Sequence, residues 1–162
     1  MRTRDKTLQR NNIMISKSSS KLAKSNITSL EKFVGYCVPT DLSDFYLFSN
    51  GGVPDKSCFY IEKDDDFVEI SLFIPILYTN DDLGGMSIEL SYKYLTKIGI
   101  PHKYLPFGVD WGGNYFSLDL ETGNIVLLLM DLGDFSDKCI KYIARNFSSF
   151  INNLQEHEEE DV

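Results

Sequence analysis

Residues 104–131 read YLPFGVDWGGNYFSLDLETGNIVLLLMD and contain three strand-like runs in close succession. The runs cover residues 104–110, 115–120 and 125–131, and each is rich in aromatic or branched residues. Residues 121–124 form a short connection with a glycine, which is typical of a hairpin loop. The third run is apolar on both faces, so we expect it in the middle of a sheet. This stretch therefore predicts a three-strand meander.

Two helices are predicted before the first strands. The first begins at Thr28, because Thr28 and Glu31 have the spacing of a capping box. The second follows Pro39, with Thr40 as its N-terminal cap and Asp41 near the positive end of the helix. Their predicted buried residues are Leu30, Phe33, Val34 and Cys37 in the first helix and Leu42, Phe45 and Tyr46 in the second.

The remaining segments complete an α+β pattern. Their predicted elements are strands at residues 57–62 and 73–78, loops at 64–66 and 81–85, and a helix over 86–98 whose apolar repeat is Met86, Leu90 and Tyr94. A closing helix, capped by Asp134 or Ser136, is predicted to bury Ile140, Ile143, Phe147, Phe150, Ile151 and Leu154. We therefore predict a single α+β domain, with a mostly antiparallel sheet flanked by helices.

Charge is distributed unevenly along the 162 residues, whose formal net charge is −8. Residues 1–25 carry +6 and the remainder carries −14. We predict a flexible basic arm at 1–25, the domain at 26–155 and a solvated acidic tail at 156–162. The arm is either a solvated tail or a contact for anionic lipid or nucleic acid. The acidic body is unsuited to binding phosphate and would attract a basic protein instead.

Cysteine usage and hydropathy indicate a reduced, cytoplasmic protein. Cys37, Cys58 and Cys139 show no CxxC spacing, and small buried thiols are the expected role. The N-terminus lacks the apolar stretch of a signal peptide, and no run approaches the roughly 20 apolar residues that span a bilayer. We expect no membrane contact through such a segment.

Residue types that carry catalysis are sparse. His102 and His157 are the two histidines, and no serine or cysteine lies in a nucleophile-elbow sequence. We expect Asp110 to accept amides of the following turn rather than to form a catalytic pair with Asp119. The acidic triplet at 64–66 lacks the glycine and glutamate of a calcium-binding loop. The sequence thus predicts no enzyme, no metal site and no cofactor.

Acidic loops and an isolated tryptophan are the predicted contacts for a protein partner, because acidic loops steer association and an aromatic residue can anchor it. Trp111 stands among small residues at a turn, which fits an interface anchor and core packing equally. The candidate partner-binding residues are Asp64, Asp65, Asp66, Asp81, Asp82 and Trp111.

An ordered set of turn motifs runs through residues 26–155. VPTDL at 38–42 and SNGGVP at 49–54 are followed by LPFGVD at 105–110 and GGN at 112–114. In this order they resemble the SUKH superfamily, which includes yeast cell-wall-synthesis regulators and many bacterial immunity proteins. We interpret the motif residues as structural, with positive φ at 50–52, a strand entrance at 106–108 and a hairpin-like turn at 110–114. They are Pro39, Asn50, Gly51, Gly52, Pro106, Gly108, Asp110, Gly112, Gly113 and Asn114.

The resemblance implies a non-enzymatic α+β protein. It implies an immunity protein that binds a cognate toxin domain, in many cases a nuclease, and blocks it by steric and electrostatic means. The alternative is a regulatory scaffold for cellular proteins, although the serine-rich stretch at 18–20 is short for one. Monomer and dimer are both compatible with the sequence.

Overall fold

A computed structural model of the protein describes residues 13–157. Within this range, four α-helices are present: α1 (Lys24–Val34), α2 (Thr40–Phe48), α3 (Ile88–Lys97) and α4 (Phe147–Asn152). The strands of the same range are β1 (Ile15–Ser16), β2 (Val53–Pro54), β3 (Cys58–Ile61), β4 (Asp66–Glu69), β5 (Leu72–Phe73), β6 (Tyr104–Val109), β7 (Tyr115–Asp119), β8 (Ile125–Leu128), β9 (Ile140–Ala144) and β10 (Leu154–Gln155).

The strands form three antiparallel groups. The largest is a five-stranded sheet in the order β5-β6-β7-β8-β9, and the second is a three-stranded sheet in the order β10-β3-β4. The third group is the pair β1-β2, which joins the large sheet's edge through a bridge between Gly52 and Phe73. The α+β class with a mostly antiparallel sheet is confirmed.

The predicted meander forms the centre of the large sheet. All four residues of β8 are buried, and β8 lies between β7 and β9. Its place inside the sheet follows from side chains that are apolar on both faces. The meander has one more strand than predicted, because β9 continues the same antiparallel order.

Pro106 and Gly108 lie inside β6 rather than at its entrance, which corrects the prediction for these two residues. The pairing of β6 with β7 shifts register between them, so Phe107 occupies a bulge. A Cβ atom at Gly108 would overlap Cδ1 of Ile70, the residue that follows β4. Glycine therefore lets the connection between the two sheets pack directly on β6.

Aromatic rings fill the space between the large sheet, α2 and α4. Phe147 of α4 packs edge-on against Phe45 and Phe107, with ring centroids 5.3 Å away in each case. The hydroxyl of Tyr46 donates to the carbonyl oxygens of Ile74 at 2.7 Å and Phe107 at 3.1 Å. The buried polar atom of this tyrosine is thus satisfied by the sheet.

Helix α1 begins four residues earlier than predicted. Its cap is Ala23, whose amide donates to Oδ1 of Asn26, and the predicted Thr28–Glu31 capping box does not form. Glu31 instead accepts from the amide of Val38, across the connection to α2. The predicted face was half correct: Leu30 and Val34 are buried, whereas Phe33 and Cys37 are exposed.

Helix α2 buries Leu42, Phe45 and Tyr46 as predicted. Its N-cap is Pro39 rather than Thr40, and Asp41 lies in the first turn. One carboxylate oxygen of Asp41 also accepts from the amide and the hydroxyl of Ser148, each at 2.9 Å. Asp41 therefore provides an acceptor for a backbone amide in the first turn of α4, more than one hundred residues away.

The turn after α2 is made by glycines, as predicted, but Asn50 has a different role. Gly51 and Gly52 have φ of 72° and 121°, and a Cβ atom at Gly51 would lie 2.7 Å from Phe73 O. Asn50 is not among the described residues with positive φ. Its buried side chain accepts from the amide of Ile76 and donates to the carbonyl oxygens of Ile76 and Ser20.

Residues 13–25 belong to the fold, so the prediction of a flexible arm is wrong for this part of it. Ile13 and Leu22 are buried, and β1 pairs with β2. The amide of Asp55 donates to the carbonyl oxygen of Met14, which fixes the start of the described chain beside β2. Residues 1–12 of the predicted arm and 158–162 of the predicted tail lie outside the described residues.

The closing segment differs most from its prediction. Neither Asp134 nor Ser136 begins an α-helix; a 3-10 turn at Asp137–Cys139 leads into β9, and α4 starts after its cap Asn146. The apolar spacing matched a helix because the buried end of β9 is followed by an amphipathic helix after only two residues. β10 then pairs with β3, and the amide of Ser57 donates to the carbonyl oxygen of Gln155.

Two further predicted elements are shorter or rotated. The strand at 73–78 is reduced to β5, which ends before Pro75. Helix α3 has Ser87 as its cap and buries Ile88, Ser91, Tyr92 and Leu95. The repeat that predicted this helix does not mark its buried face, because Leu90 and Tyr94 are exposed.

Candidate functional site

The predicted partner-binding residues lie on three different connections of the fold. Asp64 ends a 3-10 turn between β3 and β4, Asp65 follows with φ of 48°, and Asp66 begins β4. Asp81 and Asp82 belong to a 3-10 turn between β5 and α3. Trp111 lies in the turn between β6 and β7.

The acidic hairpin formed by β3 and β4 uses its carboxylates locally as well as presenting them to solvent. Oδ2 of Asp64 lies 3.7 Å from Nζ of Lys141 in β9, which joins the hairpin to the edge of the large sheet. Asp65 accepts from the hydroxyl of Tyr60 at 2.6 Å. This hydrogen bond to a carboxylate, with some desolvation and the nearby charge of Glu62, raises the pKa of Tyr60.

An exposed aromatic pair lies directly beside these acids. Tyr60 and Phe67 are cross-strand partners in the register of β3 and β4, and their ring centroids are 5.1 Å apart. Tyr60 is 37% and Phe67 is 52% exposed. An aromatic pair that remains accessible next to carboxylates is well suited to anchor a partner that also carries positive charge.

A groove of about 380 Å³ extends from this hairpin to β9. Tyr60 and Tyr142, which is 55% exposed, both line this groove. The sequence did not indicate these three rings, because the face that each strand residue occupies depends on register and on which edges meet. We refer to Tyr60, Phe67, Tyr142 and Asp64–66 together as the hairpin surface.

The second acidic connection is separate from the hairpin surface and is tied to the N-terminal segment. Oδ1 of Asn80 accepts from the amide of Asp82, and the Asn80 side-chain amide donates to the carbonyl oxygen of Lys17. An open depression of about 540 Å³ lies between residues 18–20 and 79–82. Its lining is polar, with hydroxyl, amide and carboxylate groups.

Trp111 is 77% exposed, so it does not pack in the core. The turn that presents it is held by Asp110, whose carboxylate accepts from the amides of Gly112 and Asn114. The Asn114 side chain donates to Asp110 and accepts from the amide of Met130. Gly113 supplies the positive φ of 86°. The motif around Trp111 thus builds a fixed turn with an accessible indole.

Three potential metal-ligating side chains meet at the base of the hairpin. They are Cys58 of β3, Glu69 of β4 and His157, whose donor atoms all lie within 4.8 Å of one another. The sequence predicts no metal site, because these three residues are far apart along the chain. His102, the other histidine, packs edge-on against Tyr92 and its carbonyl oxygen accepts from the Tyr92 hydroxyl.

The family comparison agrees with the fold. The model of the SMI1/KNR4 family (SUKH-1) matches residues 21–153, which include every helix described above. No curated protein matches the chain. Across residues 13–157, none of the helices is both long enough and apolar enough to cross a bilayer.

Proposed function

The chain belongs to the SMI1/KNR4 (SUKH-1) family, and from that premise we propose that it is an immunity protein that binds a toxin domain in the cytoplasm. The family covers toxin-immunity proteins, which act by binding other proteins. The observation that carries the proposal is the hairpin surface, which combines accessible aromatic rings with three consecutive carboxylates. Its function is to occupy a basic surface of the toxin.

A nuclease domain is the toxin class that this chemistry fits best. A nuclease needs a basic groove to bind phosphates, and such a groove attracts an acidic competitor. The rings of Tyr60 and Phe67 would supply desolvated anchors, while Asp64, Asp65 and Asp66 would steer the encounter. Neutralisation then needs no chemistry on the toxin, because the bound protein excludes nucleic acid from the groove.

The first test is capture of the partner by the purified full chain from a lysate of its source, followed by mass spectrometry. We expect a protein with a domain that kills cells when expressed alone and is silenced by co-expression of this chain. If every captured protein lacks such a domain, the immunity proposal fails and the regulatory scaffold becomes the better description.

The second test locates the surface on that toxin domain. We expect the double variant Tyr60→Ala/Phe67→Ala to raise Kd by at least about 30-fold, because central aromatic anchors are each worth about 2 kcal/mol or more. The matched control is Leu90→Ala/Tyr94→Ala, which removes an exposed apolar pair from α3. Loss of binding in the control but not in the hairpin variant would place the interface elsewhere.

The other predicted contacts are compared in the same assay. Trp111→Ala and Asp81→Asn/Asp82→Asn change two surfaces that are separate from the hairpin. We expect each to change Kd less than the hairpin double variant does. A larger effect of Trp111→Ala would assign the anchor to the β6–β7 turn instead.

A further inference from the structure

The register of the small sheet brings three ligand types to one face. Cys58 and Glu69 are direct cross-strand partners, so their side chains point to the same side. Gln155 pairs with Cys58 on the other edge, and His157 follows two residues later along the chain. The strands thereby unite residues that are as much as 99 positions apart in sequence.

Two of the three distances between the donor atoms are close to those of a tetrahedral zinc site. Sγ of Cys58 lies 3.7 Å from Nδ1 of His157, and this nitrogen lies 3.4 Å from Oε2 of Glu69. Zinc bonds of about 2.3 Å to sulfur and about 2.0–2.2 Å to nitrogen and oxygen, at tetrahedral angles, separate such donors by roughly 3.4–3.6 Å. A zinc ion could therefore bind between these atoms with little change in the Sγ–Nδ1 and Nδ1–Oε2 distances.

The surroundings suit a bound divalent ion. The hydroxyl of Ser57 donates to Oε2 of Glu69 at 2.8 Å, which orients the carboxylate as an outer-shell partner does. The His157 side chain is 61% exposed, so solvent can reach a fourth coordination position.

We propose that Cys58, Glu69 and His157 form a zinc site that fastens the C-terminal end of the domain to the β3–β4 hairpin. Cysteine, histidine and carboxylate together are a donor set that zinc accepts and that magnesium and calcium do not favour. The site lies on the same hairpin face as Tyr60 and Phe67, because alternate residues of a strand share a face. The zinc proposal does not rest on the proposed toxin binding.

The test is titration of the reduced, tag-free full chain with Co²⁺, followed by competition with Zn²⁺. Co²⁺ bound to a thiolate gives a charge-transfer absorption that Zn²⁺ removes when it displaces the cobalt. We expect one equivalent to bind with this absorption. Cys58→Ser should abolish the band, and Glu69→Gln and His157→Ala should each weaken binding at least about tenfold.

Matched controls are Cys37→Ser and His102→Ala, which remove the exposed cysteine and the other histidine and should leave binding unchanged. His157→Ala is the decisive variant, because an exposed side chain near the chain end can be removed without unfolding the domain. Zinc should raise the Tm of the wild type more than that of His157→Ala. Absence of the thiolate band, or equal binding by wild type and His157→Ala, would leave these residues as an ion pair beside a thiol and would overturn the proposal.

Discussion

Asn50 joins three segments of the chain through one buried side chain. Its amide group donates to the carbonyl oxygens of Ser20 and Ile76, and its oxygen accepts from the amide of Ile76. The two residues it contacts belong to the N-terminal segment and to the connection after β5. Without this side chain, the buried amide of Ile76 would lose its acceptor, whereas the carbonyl oxygen of Ile76 would still accept from the amide of Tyr78.

We expect Asn50→Ala to lower the free energy of unfolding by about 3 kcal/mol, because buried backbone groups lose their hydrogen bonds. Asn153→Ala is the control, since its exposed side chain makes a single bond to Ser149 O; its expected cost is within about 0.5 kcal/mol. Urea denaturation measures both. Equal losses in the two variants would contradict the role given to Asn50.

Tyr46 makes the free energy of unfolding depend on pH in the alkaline range. Burial, with a contribution from the charge of Glu89, raises the pKa of Tyr46 well above its usual value. The unfolded chain loses the phenol proton above about pH 10, whereas the folded chain retains it. The folded state therefore binds more protons in this range, and stability falls as pH rises above about 10.

We expect Tyr46→Phe to be less stable than wild type by about 1–2 kcal/mol at neutral pH, because two carbonyl oxygens lose a donor. The difference should shrink above about pH 10, since the variant lacks this titration. Urea denaturation at several pH values gives the two curves. Parallel curves up to the alkaline limit of folding would contradict the assignment, and the other tyrosines cancel in the comparison.

At the scale of elements, the N-terminal segment illustrates why composition is a poor guide to packing. Residues 13–25 were predicted as part of a flexible arm because they are basic and serine-rich. Their few apolar side chains are nevertheless placed where they can be buried, with Ile13 and Leu22 in the main core. The serines bond to distant parts of the chain, because the hydroxyl of Ser18 donates to the carbonyl oxygen of Gly51 and that of Ser19 to the carbonyl oxygen of Tyr78.

Leu22→Ala tests whether this segment stabilises the domain. We expect a loss of about 2–4 kcal/mol, because the variant leaves a cavity in the core. Met14→Ala is the matched control, since Met14 belongs to the same segment but is 70% exposed. Thermal or urea unfolding distinguishes them; a neutral Leu22→Ala would mean that the segment contributes no stability.

The sequence correctly predicted those elements in which the hydrophobic period and the flanking turn residues indicate the same structure. The meander at residues 104–128 was recovered because hairpin loops interrupt uniformly apolar strands, and α2 because proline, a polar first turn and glycines delimit it. The closing helix was wrong because residues 140–151 satisfy a helical spacing across a strand and a helix. The local sequence pattern does not show that residues 140–144 pair with the free edge of β8, which makes them a strand.

The candidate site was predictable only where it depends on residues adjacent in sequence. The acidic triplet and the Asp110 turn are local features, and the sequence identified them. Tyr60 with Phe67, and Cys58 with Glu69 and His157, are brought together by strand register. Register is set by the whole sheet, so no spacing rule could have selected these groups.

At the scale of the whole molecule, we expect the uneven charge to affect how a protein partner is approached. Residues 26–162 carry a formal charge of −14. An acidic surface accelerates encounter with a basic protein, and added salt screens this attraction.

We expect the association rate constant with the captured toxin domain to fall at least about tenfold between low and high ionic strength, with little change in dissociation rate. Stopped-flow binding measures both constants. In Asp64→Asn/Asp65→Asn/Asp66→Asn the salt dependence should be weaker than in the wild type. A rate that is indifferent to salt would remove electrostatic steering from the mechanism.

The first and last strands of the described residues are attached next to each other. The carbonyl oxygen of Met14 accepts from the amide of Asp55 and that of Gln155 from the amide of Ser57, and these two donor residues are at most about 7 Å apart. A short linker could close the chain into a ring, and the exposed loop at 131–134 could then provide new termini. Such a circular permutant would keep every strand neighbour. Because residues 14 and 155 lie close together, the described domain could also be inserted into a surface loop of another protein without separating the two sides of that loop.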